Sequence, residues 1–405
     1  MPSAPIEGEP VPSDGTLPQD SANAFGQQPF SFYVHVPYCA SRCGYCDFNT
    51  YTAAELGPGA SQQGYSAQAI AEVHLARRVL GERQVPVSTV FFGGGTPTLL
   101  PVQDLASILH AIDDEFGLAP DAEVTTEANP DSVSPQSLEG LRAAGFTRIS
   151  FGMQSAASNV LAILERTHTP GRAVEAVQEA RDAGFEHVNV DLIYATPGET
   201  SDDFNRSLEA AIGSGADHVS AYSLIVEDGT RLAGKVRRGE ITAVDDDVAA
   251  DRYVQADEML TSAGLQWYEV SNWARPGGEC RHNLAYWRSH DWWGIGPGAH
   301  SHVGGTRWWN VRHPRAYGDR LDAGESPAQA REILSSTQKD DERILLELRL
   351  RSGISAAALR DAPVEVIKRA AADGLVEPDW TTSGTVVLTQ KGRLLADRIA
   401  IDLLT

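Results

Sequence analysis

Between residues 31 and 224 the chain alternates, six times over, between short β-rich runs and helical patterns. That alternation limits the fold more than any other feature. The runs at 31–36, 89–92, 123–127, 148–152, 187–193 and 218–224 are separated by segments rich in Ala, Leu, Glu and Arg, such as 67–80, 103–116 and 172–183. A parallel strand is regained only through a long crossover, so strand–helix repetition predicts a parallel sheet covered by helices. Six units make a three-quarter barrel, an α/β fold of partial (β/α)6 type. In such barrels the chemistry sits at the C-terminal ends of the strands. Those ends carry, in order, a cysteine loop, Gly93-Gly94-Gly95-Thr96-Pro97-Thr98, Glu127-Ala128-Asn129-Pro130, Gln154, and Asp191 ahead of Thr196-Pro197-Gly198.

The cysteine loop is the most chemically informative of these. Cys39, Cys43 and Cys46 are spaced C-x-x-x-C-x-x-C, and the only other cysteine is Cys280. Thiolates bind soft metals, and a four-iron cube takes one ligand per iron. Three thiols on one loop therefore hold three irons and leave the fourth open for a small molecule. Structural zinc usually takes four Cys or His ligands in two paired clusters; no second C-x-x-C is present, although His35 could complete a local tetrad. A disulfide pair is disfavoured in a chain with no mark of secretion, and four cysteines fit a reducing cytoplasm. Simple burial of three neighbouring thiols is the remaining alternative.

The run Tyr33-Val34-His35-Val36-Pro37-Tyr38-Cys39-Ala40-Ser41-Arg42-Cys43-Gly44-Tyr45-Cys46 resembles the cluster loop of radical S-adenosylmethionine (radical SAM) proteins. The likeness points to the branch containing oxygen-independent coproporphyrinogen III dehydrogenase and the heme chaperones, strongly over residues 31–310. It implies a [4Fe–4S] cluster on Cys39, Cys43 and Cys46, with S-adenosylmethionine (SAM) on the open iron and cleaved by electron transfer in active members. It also implies roles for other strand-end residues. Gly94, Gly95 and Thr96 match a segment that binds the SAM amino group, and a glycine run lets backbone approach a ligand closely. Glu127 would accept from the amino or ribose groups of SAM; its bland alternative is an exposed or capping carboxylate. Gln154, Arg166 and Asp191 match SAM-contacting positions of the dehydrogenase, Tyr33 and Tyr45 flank the cluster, and Leu224 and Ile225 would pack beside the ligand.

Two departures divide the branch. The dehydrogenase has a further cysteine two residues after the third, where this chain has Phe48. That leaves cluster binding intact but counts against the dehydrogenase activity. The second is Arg281-His282-Asn283-Leu284-Ala285-Tyr286-Trp287, an HNxxYW run that resembles the signature associated with heme binding in the chaperones. Imidazole is a common axial ligand of heme iron, and Tyr or Trp rings pack on a porphyrin face. Taken alone, a histidine beside aromatics is more often a structural one. His282 is thus the first candidate for heme contact, with Cys280, His290, His300 and His302 unranked behind it. The resemblance implies a heme chaperone that passes heme to an acceptor protein, the alternative being decarboxylation of two coproporphyrinogen propionates to vinyls. The acceptor and the electron donor are not written in these residues. A switch-like cluster favouring a homodimer fits the first reading.

Charge narrows the partners. With 55 acidic and 33 basic side chains the net charge is −22, which repels nucleic acid and anionic membranes. No stretch has the eighteen or so apolar residues a membrane span requires. Residues 1–30 are rich in Pro, Ser, Gly and acid, lack Lys and Arg, and read as a disordered leader rather than a signal peptide. Residues 31–230 form the predicted barrel core, and 231–330 a barrel extension carrying HNxxYW. Residues 331–405, helices with a short β pair, predict a winged-helix-like C-terminal domain. Its 11 basic and 12 acidic residues favour packing over DNA binding.

Overall fold

The computed structural model of the protein describes residues 8–56, 62–359 and 364–404. Six parallel strands follow the expected order: β1 (Phe30–Val36), β2 (Val87–Gly94), β3 (Leu118–Ala128), β4 (Arg148–Gln154), β5 (His187–Tyr194) and β6 (His218–Ser223). Their alternation explains both faces of the sheet. Val34, Phe92, Val124, Ile149, Val190 and Val219 point outward and are buried under the helices, among them Tyr65–Leu80 and Val102–Phe116. The intervening positions, Tyr33, Glu127, Ser150, Asn189, Asp191 and Ser220, line the concave side and carry the polar groups.

The sheet continues beyond the barrel on both sides. β7 (Gln266–Glu269) and β8 (Asn272–Ala274) add to β6 in antiparallel fashion. On the other flank β9 (Asp291–Ile295) pairs parallel with β1, and β10 (His300–Val303), β11 (Thr306–Asn310) and β12 (Ala328–Ile333) follow antiparallel. The result is one twelve-stranded sheet in the order β12-β11-β10-β9-β1-β2-β3-β4-β5-β6-β8-β7, curved but not closed.

The leader departs from the disorder expected of it. Residues 1–7 lie outside the described residues, but 8–29 are built into the fold. The Glu9 and Arg331 backbones exchange hydrogen bonds at 2.9 Å, and Phe25 is buried edge-on against Phe30. Leu17 and Phe25 supply the apolar anchors that composition alone obscured.

At the other end, the helices Ser336–Glu347, Val364–Ala372 and Ala396–Leu404 surround β13 (Ile354–Ser355) and β14 (Thr385–Val386), an antiparallel pair. Leu348, Ile354, Leu359, Ile367, Val386 and Leu403 form a separate apolar cluster there. The Arg393 guanidinium ties this part to the sheet, 2.7 Å from Asp257 and 4.2 Å over the Trp267 ring. Among the described residues no helix is long and apolar enough to cross a membrane.

Candidate active site at the cluster loop

The cysteine loop leaves the end of β1 and is pinned by backbone bonds at both ends. The Cys39 amide donates to the Tyr51 carbonyl at 3.0 Å, and the Tyr51 amide to Pro37 at 2.7 Å. In the middle, the Gly44 amide donates to Leu164 and the Gly44 carbonyl accepts from Leu232. This sets the loop between the segment following β4 and the helix Arg231–Arg237, whose Arg231 and Lys235 both pair with Glu165.

Cys39, Cys43 and Cys46 are free, half-buried thiols. Burial raises the Cys39 thiol to about 11 and pushes Cys46 up as well, so metal binding at these sulfurs must displace protons. Arg166 offsets that burden: one guanidinium N–H faces Cys43 Sγ at 3.4 Å and another donates to the Gly152 carbonyl at 2.9 Å. Its Nε is buried without a partner among the described residues. No group of three His, Cys, Asp or Glu among the described residues gathers tightly enough for one ion. A four-iron cube asks for a different set, one thiolate at each of three corners, and three free thiols on one loop beside a cation fit it. His35 is not a fourth ligand here, because its nitrogens are engaged by Tyr33 Oη at 3.0 Å and the Asn49 carbonyl at 2.9 Å.

The glycine run sits directly beside this loop. The Gly95 amide donates to Val36 and the Thr96 amide to Tyr38, both at 2.8 Å. A Cβ on Gly95 would lie 2.4 Å from the Tyr38 carbonyl oxygen, so this glycine first serves the contact between the two loops. Gly94 has φ +107° and donates its amide to Glu127 Oε2 at 3.0 Å. Two strands on, β5 brings Asp191, which accepts from Ser150 at 2.8 Å and Asn189 at 2.7 Å. Gln154 ends β4 with φ +65°, a left-handed conformation that costs a non-glycine residue free energy. Tyr45 packs with Val160, Leu164 and Ile193 and lies close to Cys43 and Arg166. Leu224 joins that cluster, whereas Ile225 is largely exposed.

Glu127 carries a titration signature. Burial, reinforced by the nearby Asp191 carboxylate, raises it to about 8. A carboxyl whose folded pKa is raised retains its proton while the unfolded chain has lost it. Stability therefore falls as pH climbs from the ordinary carboxylate range toward 8, by up to roughly 1.4 kcal/mol per pH unit. Glu127→Gln removes the titration. We predict that the mutant and wild-type apo proteins match near pH 4.5 and that the mutant becomes progressively more stable above it. Parallel stability–pH profiles would refute this reading of Glu127.

His282 lies elsewhere. The helix Arg281–Trp287 packs on the concave face against Thr89 of β2 and Glu123 of β3, and its Tyr286 lines a cavity together with Asp47, Phe48 and Asn49. Glu123 of β3 accepts its first amides, from Arg281 at 3.2 Å and His282 at 3.0 Å, and pairs with buried Arg148 of β4 at 3.0 Å. The His282 ring stacks on Phe91 at 5.1 Å, with Nδ1 on Thr89 Oγ1 at 2.7 Å and Nε2 on Tyr286 Oη at 3.0 Å. Burial pushes it down to about 4. As the described structure stands, both nitrogens are engaged, so a heme contact by His282 would have to displace the Thr89 or the Tyr286 hydroxyl. Cys280 is likewise buried, with its sulfur 3.5 Å from Glu123 Oε1. The Glu123–Arg148 pair and the Glu165 clamp escaped the sequence reading, because a partner one strand or seventy residues away leaves no local pattern.

Comparisons with known proteins agree with this layout. Residues 33–211 match the radical SAM superfamily, whose members employ a [4Fe–4S] cluster and SAM. The chain is 53% identical over 377 residues to heme chaperone HemW of Mycobacterium tuberculosis H37Rv, covering 93% of this chain and 95% of that one. It is 31% identical to heme chaperone HemW of Bacillus subtilis, covering 91% and 97%. The structure of Escherichia coli coproporphyrinogen III oxidase (HemN), described as a radical SAM enzyme, superposes with a TM-score of 0.81 at 22% identity, covering 100% of this chain and 96% of that chain. At that identity the last match speaks to the fold alone. With curated relatives aligned over more than nine tenths of both chains and the radical SAM model matched over residues 33–211, the chain belongs to the HemW family of radical SAM proteins.

Proposed function

We propose that this protein is a cytoplasmic heme chaperone, binding a [4Fe–4S] cluster, SAM and heme and passing the heme to an acceptor protein. The observation that carries the reading is the 53% identity to a heme chaperone across 93% of the chain. Cys39, Cys43 and Cys46 hold the cluster, which supplies an open iron and an electron. Gly94, Gly95 and Thr96 present backbone to SAM, and Glu127, Gln154, Arg166 and Asp191 surround it with acceptors and one cation. Tyr33 and Tyr45 exclude water on either side of the loop. Phe48, 57% exposed, puts an apolar ring where a dehydrogenase would have its additional thiol, which supports the chaperone over the enzyme. The cluster favours a homodimer, and residues 331–405 act as a separate winged-helix-like unit.

The test is an anaerobic heme titration of the cluster-reconstituted protein, run beside a coproporphyrinogen conversion assay. Saturable, stoichiometric heme binding without conversion is expected. Conversion coupled to SAM consumption would replace the chaperone with the dehydrogenase, and SAM cleavage alone would not distinguish them.

A further inference from the structure

A cavity of about 720 Å³ opens between the cysteine loop, the strands β9 to β11 and the helix Ser336–Glu347. That size is in the range of sites that enclose a small molecule. Its lining is mixed in an informative way: Phe48, Trp292 and Leu346 supply apolar walls, while His300, His302 and Arg312 supply an imidazole pair and a guanidinium.

Strand geometry puts these groups together. His300 and His302 alternate with Ser301, whose hydroxyl turns the other way to accept from the Gly294 amide. In register, His302 sits between Trp292 and Arg307, and His300 stands opposite Trp309, ring on ring at 5.9 Å. Each residue therefore belongs to the same face.

The two imidazoles differ in how they are held. His302 Nδ1 is fixed by the His290 carbonyl at 3.3 Å, with Asp291 at 3.8 Å. Its Nε2 has no hydrogen-bond partner among the described residues. A histidine held at one nitrogen by a carbonyl and a carboxylate, with the other nitrogen uncommitted, is the usual arrangement of a metal-binding imidazole. His282, bonded at both nitrogens, is the opposite case.

The cations differ in the same sense. Arg307 is divided between Glu332 and Glu342, each at 2.6 Å. Arg312 has no carboxylate partner among the described residues, and its backbone carbonyl accepts from Asn49 at 2.8 Å, next to Phe48. A heme is a flat apolar disc with one iron at its centre and two carboxylates on one edge. Aromatic walls, an oriented imidazole and an unpaired guanidinium are the three things it would recognise.

We propose that this cavity is the porphyrin seat, with His302 of β10 supplying the iron ligand and Arg312 receiving a propionate. The assignment deepens the heme-chaperone reading and rests on it. It gives heme and cluster a common wall, the segment 47–49.

The experiment uses the full-length, cluster-loaded protein and two probes: hemin followed by absorbance, and metal-free protoporphyrin followed by quenching of tryptophan fluorescence. His302→Ala should weaken hemin about tenfold or more and shift its spectrum, while leaving protoporphyrin binding unchanged. Arg312→Ala should weaken both porphyrins but not the dimethyl ester, which lacks the charge. His282→Gln keeps hydrogen-bonding ends where the imidazole had them, and should leave the heme spectrum as in wild type. A spectral change confined to His282→Gln, or wild-type affinity and spectrum in His302→Ala, would overturn the assignment while leaving heme binding itself intact. A wild-type protein that binds neither probe would bring down both the seat and the chaperone reading.

Discussion

Replacing Cys39, Cys43 and Cys46 together with alanine is expected to take the reconstituted protein from about four irons per chain to nearly none, with loss of its sulfur-to-iron absorbance. The fold should survive. The three thiols are half-buried and lie on a loop held by backbone bonds to Tyr51, Leu164 and Leu232, none of which needs a sulfur. A stability change of about 1 kcal/mol or less is therefore expected. Cys280→Ala is the informative control. Its sulfur is buried beneath the Glu123 carboxylate rather than on the cluster loop, so this variant should load iron normally. Iron retained by the triple mutant, or lost from Cys280→Ala alone, would remove the ligand assignment.

Glu123→Ala should be the most damaging single change to stability outside the loop, at about 3–5 kcal/mol by denaturant titration. The cost has two origins. Arg148 is 1% exposed and would be left as a buried, unpaired cation, although two of its bonds to the Gly278 and Glu279 carbonyls would remain. The amides of Arg281 and His282 would also lose their acceptor, loosening the helix that carries the HNLAYW run. Burial alone would raise the Glu123 carboxyl, yet Arg148 and the two amides hold it below the ordinary value. Its stabilising effect is thus present at neutral pH and fades as pH falls through that lowered value. Replacing both partners, as Glu123→Leu with Arg148→Met, should recover much of the loss. A single-mutant cost below about 1 kcal/mol would mean the pair is dispensable.

The six barrel strands were legible because each is a run of apolar and β-branched residues with glycine or polar residues at its exit. β1 and β5 were anticipated to within a residue at either end. The outer strands were not. β9 and β11 are written as Asp-Trp-Trp-Gly-Ile and Thr-Arg-Trp-Trp-Asn, where large rings at adjacent positions mask the alternation of a strand. The helix Gln19–Ala24 was equally hidden, since it is short and its anchors are isolated apolar residues. Among the candidate site residues, the cysteines stood out by their spacing, and Gly95 by the likeness of its glycine run to that of radical SAM proteins. The reason for Gly95, a carbonyl 2.4 Å from where its Cβ would stand, needed the tertiary contact. His282 shows the converse. Its motif was visible, and Tyr286, which engages Nε2, lies inside it four residues on, but Thr89, which engages Nδ1, lies on β2 and leaves no trace in the local pattern.

The parallel pairing of β1 with β9 bears on the order of events during synthesis. The strand that leads into the cysteine loop acquires one neighbour from β2, but its other neighbour is residues 291–295, close to three quarters of the way along the chain. Until that stretch has left the ribosome, β1 presents an open edge, and the thiols at its end stand on an unfinished support. Iron is thus best received after translation has passed β9. A cluster at these cysteines is therefore expected only once residues 291–295 are available to pair with β1.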